Sequence, residues 1–117
     1  MNTHKDLIVW QKAMELVLEV YKATKTYPRE ELFGLASQMR RAVVSIPSNI
    51  AEGYVRIHTR ETERFLSIAL GSACELETQL ILSKDLGYIS TELAQQLCDK
   101  TQSIIRMLTS LIKTLNK

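Results

Sequence analysis

A row of polar residues along one predicted helix is the part of this sequence best suited to bind something. Between residues 38 and 53, positions spaced by three or four all carry polar side chains: Gln38, Arg41, Ser45, Asn49 and Glu52. Serine and asparagine are unfavourable in the middle of a helix, because their side chains compete for backbone hydrogen bonds. Their presence there predicts that this polar row has a hydrogen-bonding partner.

A later helix offers that partner in Ser72, Glu75, Gln79 and Ser83, which follow a similar spacing. If the two helices pack antiparallel, Arg40 or Arg41 can pair with Glu75, and Asn49 with Ser72 or Glu75. Three interpretations stay open: a buried or interfacial network that fixes register and oligomer geometry, a ligand pocket, and a solvated face. The network is favoured, since such networks add specificity to helical assemblies.

Residues for catalysis or metal binding are sparse. The two histidines, His4 and His58, lie outside the predicted helices, and no Glu-x-x-His pair occurs, which disfavours a di-iron carboxylate site. Ser45 and Ser48 have no histidine base on their helix, and no glycine-rich phosphate loop is present. The sequence therefore predicts a protein that is not an enzyme and needs no cofactor or metal.

Basic residues are grouped although the net charge is only +2. Arg56, Arg60 and Arg64 surround the predicted turn between the second and third helices. Lys113 and Lys117 lie in a final stretch that has no acidic residue after Asp99. Such groups can hold the phosphates of a nucleic acid, and the alternative is a solvated face that keeps the protein soluble.

Composition indicates one globular domain over residues 1–117, with 45% hydrophobic and 24% charged residues. Cys74 and Cys98 have no metal-binding spacing, and we expect them to be small buried or half-buried residues in a reducing cytosol. No apolar signal core is found, and no apolar run approaches the length of a membrane span. The expected location is the cytoplasm, without membrane contact.

Four helices account for the hydrophobic periodicity, and no alternation of period two suggests a strand. They run from about 7 to 24, 34 to 54, 59 to 86, and from 91 to near the end. Short connections between helices of similar length predict an all-α, antiparallel, up-down-up-down four-helix bundle. The predicted core positions of the second, third and fourth helices are Leu32, Leu35, Met39, Val43, Ile46, Ile50, Phe65, Leu66, Ala69, Ala73, Leu76, Leu80, Leu93, Leu97, Ile104, Leu108, Leu111 and Leu115, and in the first helix Trp10 and Tyr21 are expected in the core.

Turn-forming and helix-capping residues set the expected helix boundaries. Pro47 should bend the second helix. Ser90 is expected to cap the fourth helix and Gly87 to stop the third. The remaining signals are Pro28 at the start of the second helical region, Gly53 as its terminator, Thr59 as the N-cap of the third helix, and Gly71 as a close-packing position within it.

Apolar residues exceed what one bundle core needs. The first helix carries two apolar seams: the first is Leu7, Trp10, Met14, Val17 and Tyr21, and the second is Val9, Ala13, Leu16 and Val20. The second helix has a further apolar side of Val44, Pro47 and Ala51. Surplus apolar faces are typical of contact with another chain. A homo-oligomer is therefore predicted, with the alternative that both seams of the first helix serve its two neighbours in a monomer.

Several motifs in order along the chain resemble the bacterial 23S ribosomal RNA intervening-sequence proteins. They are Leu7-x-x-Trp10-Gln11-Lys12-Ala13, Tyr27-Pro28-x-x-Glu31-x-x-Gly34-Leu35, Gln38-x-Arg40-Arg41-Ala42-x-x-Ser45-Ile46-x-x-Asn49-Ile50-Ala51-Glu52-Gly53, Phe65-x-x-Ile68-Ala69-x-Gly71-Ser72-Ala73-x-Glu75-Leu76-Glu77 and Leu86-Gly87-Tyr88-Ile89. The resemblance covers nearly the whole chain.

The resemblance implies a cytoplasmic four-helix bundle that assembles as a ring-like homopentamer. A related branch, the accessory proteins of diversity-generating retroelements, works beside a reverse transcriptase, which supports a nucleic-acid or protein partner. No catalytic residues are established for the family. The leading hypothesis is thus an oligomer that binds structured RNA or another nucleic acid through repeated basic patches, and the alternative is an oligomeric scaffold that docks a protein partner.

Overall fold

A computed structural model of the chain describes residues 3–116 and contains helices, with no strand in that range. The α-helices are α1 (Ile8–Thr24), α2 (Leu35–Tyr54), α3 (Thr59–Asp85) and α4 (Thr91–Leu115), with 3-10 turns at His4–Asp6 and Arg29–Glu31. Each helix packs against its neighbours in sequence, and α1 also packs against α4. The predicted all-α four-helix bundle is confirmed.

The two ends of the bundle differ in what they contain. The Tyr88 end holds the α1–α2 and α3–α4 turns, where the rings of Tyr27 and Tyr88 lie 5.2 Å apart. The Arg56 end holds the α2–α3 turn together with the first 3-10 turn and the end of α4. Asn116 donates to Glu63 over 3.1 Å there. The longest dimension, 44 Å, matches the length of roughly 40 Å that a rise of about 1.5 Å per residue gives α3.

Helix α1 buries one of its two predicted seams and leaves the other partly exposed. The second seam, Val9, Ala13, Leu16 and Val20, is buried. The first seam includes Met14 and Tyr21, which are exposed, so the prediction of Tyr21 as a core residue is wrong. Two predictions for the second helical region are wrong. Leu32 is exposed rather than in the core because it lies in the turn before α2, and Pro47 is buried rather than part of a surplus face.

The helix boundaries confirm some capping predictions and correct others. Ser90 Oγ accepts from the Leu93 N–H at 3.0 Å, and Gly87 has φ +79°. Thr59 is wrong as an N-cap, because the N-cap position is His58 and no side chain caps α3.

Two glycines play other roles than predicted. Gly53 is buried inside α2, where an added Cβ would lie 3.2 Å from Phe65 Cβ and 3.3 Å from Thr62 O, so it permits close packing with α3 rather than ending α2. Gly71 is exposed and has open space around it, so the predicted close-packing role is wrong within this chain.

A carboxylate closes the Tyr88 end. Glu31 Oε1 accepts from the Leu35 N–H at 3.0 Å, at the start of α2, and Glu31 Oε2 accepts from the Tyr88 hydroxyl at 2.9 Å. Both bonds hold the pKa of Glu31 below its usual value, and the bond from the Leu35 N–H has the larger effect. The bond to Glu31 raises the pKa of Tyr88. The α1–α2 and α3–α4 turns are therefore joined through one side chain.

Helix α3 is long and apolar enough to cross a membrane by length and composition, with a mean hydropathy of 1.3 over its most apolar window. The expectation that no stretch of the chain reaches this measure was wrong. Glu75 and Glu77 lie in the middle of α3, and its core face packs against α2 and α4. One such helix is weak evidence of a membrane span, and a third of its most apolar window is buried inside the bundle.

Candidate functional site

One hydroxyl pair joins the polar row of α2 to α3. Ser45 Oγ lies 2.8 Å from Ser72 Oγ, and Asn49 Nδ2 donates to both the carbonyl and the hydroxyl of Ser45, at 2.8 and 2.9 Å. Asn49 thus bonds within its own helix, and its predicted pairing with Ser72 or Glu75 is wrong. The serine pair nevertheless links the two rows that the sequence predicted to face each other.

The predicted arginine pair with Glu75 is absent among residues 3–116. Arg40 points to α1 instead, where Nε donates to Thr24 Oγ1 at 2.8 Å and the guanidinium lies 4.8 Å from the centre of the Tyr21 ring. Arg41 is exposed and has no ion pair or side-chain hydrogen bond in the described chain. The reason is angular: adjacent positions on a helix point about 100° apart, so Arg40 faces α1 while Arg41 faces solvent.

The other members of the two rows do not form one network. Glu75 is exposed and accepts from Gln79 Nε2 at 3.3 Å on the same helix. Gln79 is buried, and its Oε1 has no hydrogen-bond partner. Gln38 is exposed, and Glu52 pairs with Arg56 rather than with the row. The polar row is therefore a short central cluster flanked by exposed groups.

The arginines at the Arg56 end converge on one aromatic ring. The guanidinium carbons of Arg56 and Arg64 lie 4.7 and 5.9 Å from the centre of the Phe65 ring, at distances typical of cation–π contacts. Arg60 is exposed one helical turn before Arg64 and forms no ion pair within residues 3–116. Phe65 thus contacts two exposed guanidinium groups, and a third arginine lies one helical turn from Arg64.

Acidic residues partly balance this arginine cluster, which we define as Arg56, Arg60 and Arg64. Arg56 Nη2 lies 2.5 Å from Glu52 Oε2, with both side chains substantially exposed. Such an exposed pair contributes little stability and is screened by salt. Glu63, in contrast, is engaged by Asn116 of α4.

The end of α4 comes to the same end of the bundle. The bond between Asn116 and Glu63 brings the last turn of α4 to the start of α3, and Lys113 is exposed in that last turn. The predicted contact residue Lys117 lies outside the described residues. Lys113 therefore extends the basic character of the Arg56 end from α3 to α4.

Metal-binding and nucleophilic chemistry have little support in the described geometry. No group of three or more His, Cys, Asp or Glu side chains suited to a metal occurs within residues 3–116. Cys98 is half-buried, and burial raises the pKa of its thiol, which works against a reactive thiolate. Cys74 is exposed, contrary to the expectation that both cysteines are at least half-buried.

Comparison with known proteins establishes the family. The 23S rRNA-intervening sequence protein family matches residues 5–110 of this chain. The chain belongs to this family. A crystal structure of a protein with unknown function from the S23 ribosomal protein family of Bacteroides thetaiotaomicron is similar to it, with 28% identity and a TM-score of 0.82. The alignment covers 91% of this chain and 99% of that one, and no curated protein matches the sequence.

Family membership confirms the resemblance inferred from the motifs, and the similar crystal structure supports the same fold. Neither the 23S rRNA-intervening sequence family nor the Bacteroides protein carries an established biochemical function. The candidate site therefore has to be identified from the geometry of this chain. It is the arginine cluster at the Arg56 end.

Two contacts were missed at the sequence level. Phe65 was predicted as a core residue, but its half-buried ring also supports Arg56 and Arg64. Thr24 is buried, and its hydroxyl accepts a hydrogen bond from Arg40. A threonine at the end of a helix does not by itself predict this contact. The adjacency of Arg64 and Phe65 in sequence was a visible signal for the first contact, whereas the second depends on how α1 and α2 pack.

Proposed function

We propose that the protein is a cytoplasmic, non-enzymatic oligomer whose Arg56 end binds the phosphates of structured RNA or another nucleic acid. The observation that carries this proposal is the convergence of Arg56 and Arg64 on the Phe65 ring, at 4.7 and 5.9 Å. An arginine held by an aromatic ring loses little side-chain freedom when it binds, and its fork of donors suits phosphate oxygens.

The composition of this end adds support. Arg60 and Lys113 are exposed and have no ion-pair partner in the described chain, so their charges are available to a phosphate backbone. The Arg56–Glu52 pair is exposed and can exchange its carboxylate for a phosphate at low cost. The family name refers to intervening sequences of 23S rRNA, which agrees with an RNA partner.

Assembly is the second part of the proposal, because one cluster of three arginines binds weakly. Exposed apolar side chains lie along α1 and α2, at Leu18 and Val44, and along α3, at Ile68 and Leu82. Arg41 has no partner in the described chain, and Glu75 bonds only to Gln79. Arg41 of one copy can therefore pair with Glu75 of a neighbouring copy. The family resemblance implies a pentamer, and repeated arginine clusters on one oligomer would raise affinity through avidity.

Light scattering coupled to gel filtration tests the assembly. We expect an oligomer at micromolar concentration, with five copies as the expected number. Replacing Glu75 by Arg places like charges opposite each other if Arg41 of one copy meets Glu75 of another, and should shift the protein towards monomer. A wild-type protein that elutes as a clean monomer would contradict this part of the proposal.

A salt series of RNA and DNA binding tests the nucleic-acid contact. Phosphate contacts release counterions, so the logarithm of affinity should fall linearly with the logarithm of salt, by about 0.7 to 0.9 per contact. Replacing Arg56, Arg60 and Arg64 together by Gln should lower that slope by about two to three. The helical content should stay unchanged because all three side chains are exposed.

The opposite end of the bundle supplies a matched control. Replacing Lys22, Lys25 and Arg29 together by Gln removes the same charge from exposed positions near the Tyr88 end. This variant should keep the wild-type salt slope if binding is local to the Arg56 end. Equal losses in both variants would mean that net charge, rather than the arginine cluster, governs binding.

The second candidate function is a scaffold that docks a protein partner, favoured by two side chains that are almost fully exposed. Phe33 is 97% exposed at the Tyr88 end, and Ile57 is 93% exposed at the Arg56 end. Replacing Phe33 by Ser, at the end of the bundle away from the arginine cluster, should weaken capture of a protein partner and leave nucleic-acid binding intact. Absence of nucleic-acid binding by the wild-type protein even at low salt would favour this scaffold over the leading proposal.

A further inference from the structure

At the Arg56 end, the ring of His4 contacts two other aromatic rings, neither of which belongs to the arginine cluster. The ring of His4 meets Trp10 edge-on at 5.2 Å and Tyr54 at 6.5 Å. Trp10 and His4 are half-buried, whereas Tyr54 is 39% exposed. The cluster is thus an aromatic group that begins in the bundle and reaches the surface at Tyr54.

Its position relates it to the candidate phosphate contacts. Tyr54 is the last residue of α2, and Arg56 follows it within the α2–α3 turn. Val55 and Ile57 alternate with these residues and are 63% and 93% exposed. The turn therefore presents an aromatic ring, apolar side chains and a guanidinium within four consecutive residues.

This mixture suits a particular form of nucleic acid. A duplex hides the faces of its bases and offers mainly phosphates and groove edges, whereas loops and single strands expose bases that stack on aromatic side chains. Stacking on such platforms tolerates any sequence, because every base has a π-face. Apolar residues beside a tyrosine favour a partner with exposed base faces over one with only phosphates.

We propose that the Arg56 end binds unpaired nucleotides, with Tyr54 stacking against a base while Arg60 and Arg64 hold the flanking phosphates. This inference rests on the proposed nucleic-acid function and narrows its ligand to loops and single strands. The ring of His4 contacts Tyr54, and Trp10 contacts His4 in turn.

The experiment compares two RNAs that carry the same number of phosphates: an oligouridylate, which is unstructured, and a blunt duplex. The wild-type protein should bind the oligouridylate more tightly at equal salt. Tyr54→Leu, which keeps an apolar side chain and removes the aromatic ring, should weaken binding of the oligouridylate by about tenfold and change duplex binding by less than about twofold. Tyr54→Phe should bind like the wild type.

Tyr21→Leu is a matched control, since Tyr21 is also 39% exposed but lies on α1 against Arg40. It should leave binding of both RNAs unchanged. If wild type binds both RNAs but Tyr54→Leu weakens neither, or weakens both equally, the stacking inference is overturned while the proposed function stands. If the wild-type protein binds neither RNA, the proposed function fails and this inference fails with it.

Discussion

The two ends of the bundle use similar residue types in opposite ways. At the Tyr88 end, the carboxylate of Glu31 and the hydroxyl of Tyr88 bond to each other, and Tyr27 is buried beside them. At the Arg56 end, guanidinium groups lie on the surface of Phe65, and Tyr54 is partly exposed. Glu31 and Tyr88 thus satisfy each other within the fold, whereas the guanidinium groups at the Arg56 end remain accessible.

The difference predicts that the Tyr88 end contributes to stability and that the Arg56 end carries the proposed binding. Substitutions at the Tyr88 end should affect the free energy of unfolding and leave binding unchanged in the folded protein. Substitutions of exposed groups at the Arg56 end should do the reverse. Substitutions at both ends test this division, beginning with the largest expected effect on stability and ending with the smallest.

Tyr27→Ala should destabilise the protein most, by about 3–5 kcal/mol, because it empties the space of a buried aromatic ring. Urea unfolding measures this loss. Ile57→Ala, at a side chain that is 93% exposed, should change stability by less than about 0.5 kcal/mol. A large loss from Ile57→Ala would break the division between the two ends, unless assembly buries that residue.

Tyr27→Phe tests the contribution of the hydroxyl alone, because it keeps the aromatic ring. The hydroxyl is buried without a hydrogen-bond partner, and burial raises its pKa. Its removal should therefore be neutral or stabilising by up to about 1 kcal/mol. A clear loss would indicate that the hydroxyl bonds to the nearby Ser83.

Gly53→Ala should have an intermediate effect, because its Cβ would lie 3.2 Å from Phe65 Cβ and 3.3 Å from Thr62 O. Overpacking costs about 1–3 kcal/mol, whereas the higher helix propensity of alanine stabilises the helix by about 1 kcal/mol relative to glycine. We expect a net destabilisation of about 1 kcal/mol and, because Phe65 must shift, weaker RNA binding. Gly71→Ala, which has open space around it, should instead stabilise α3 by up to about 1 kcal/mol.

Glu31→Gln should have the smallest effect, visible as a change in the pH dependence of stability. The pKa of Glu31 is held below its ordinary value of 4.5 by the Leu35 N–H and the Tyr88 hydroxyl. Its contribution to stability is therefore complete above pH 4.5 and is lost as the pH falls through the lowered folded-state pKa. Glu31→Gln should flatten the acid limb of a stability–pH curve, whereas Glu30→Gln, one residue away and exposed, should not.

Hydrophobic spacing and turn residues were sufficient to predict the fold. Leu16, Val43, Leu76 and Leu108, one from an apolar seam of each helix, are all fully buried. Gly87 and Ser90 fixed the α3–α4 turn, because a positive φ and an N-cap each demand particular residue types. The prediction that Gly53 ends the second helix was wrong because glycine also occurs where two helices approach closely. Only the packed structure distinguishes these two roles.

The candidate site was less predictable. Grouping Arg56, Arg60 and Arg64 was possible from the sequence, since all three surround one turn. The partner of Arg40 or Arg41 could not be predicted from the sequence. Adjacent positions on a helix point about 100° apart, and only the packed structure shows which helix each arginine can reach. Nucleic-acid binding and assembly stay predictions.

The uneven packing of the helix pairs bears on how the bundle opens. Helices α2 and α3 make the most extensive contacts and α1 and α4 the least, and clefts of about 410, 520 and 90 Å³ follow the seam between α1 and α4. Regions with few buried contacts open with lower free energies than the rest of a protein. Amide hydrogens of α1 should therefore exchange with deuterium earlier than those in the centres of α2 and α3, so that the α2–α3 hairpin is the last unit to lose protection.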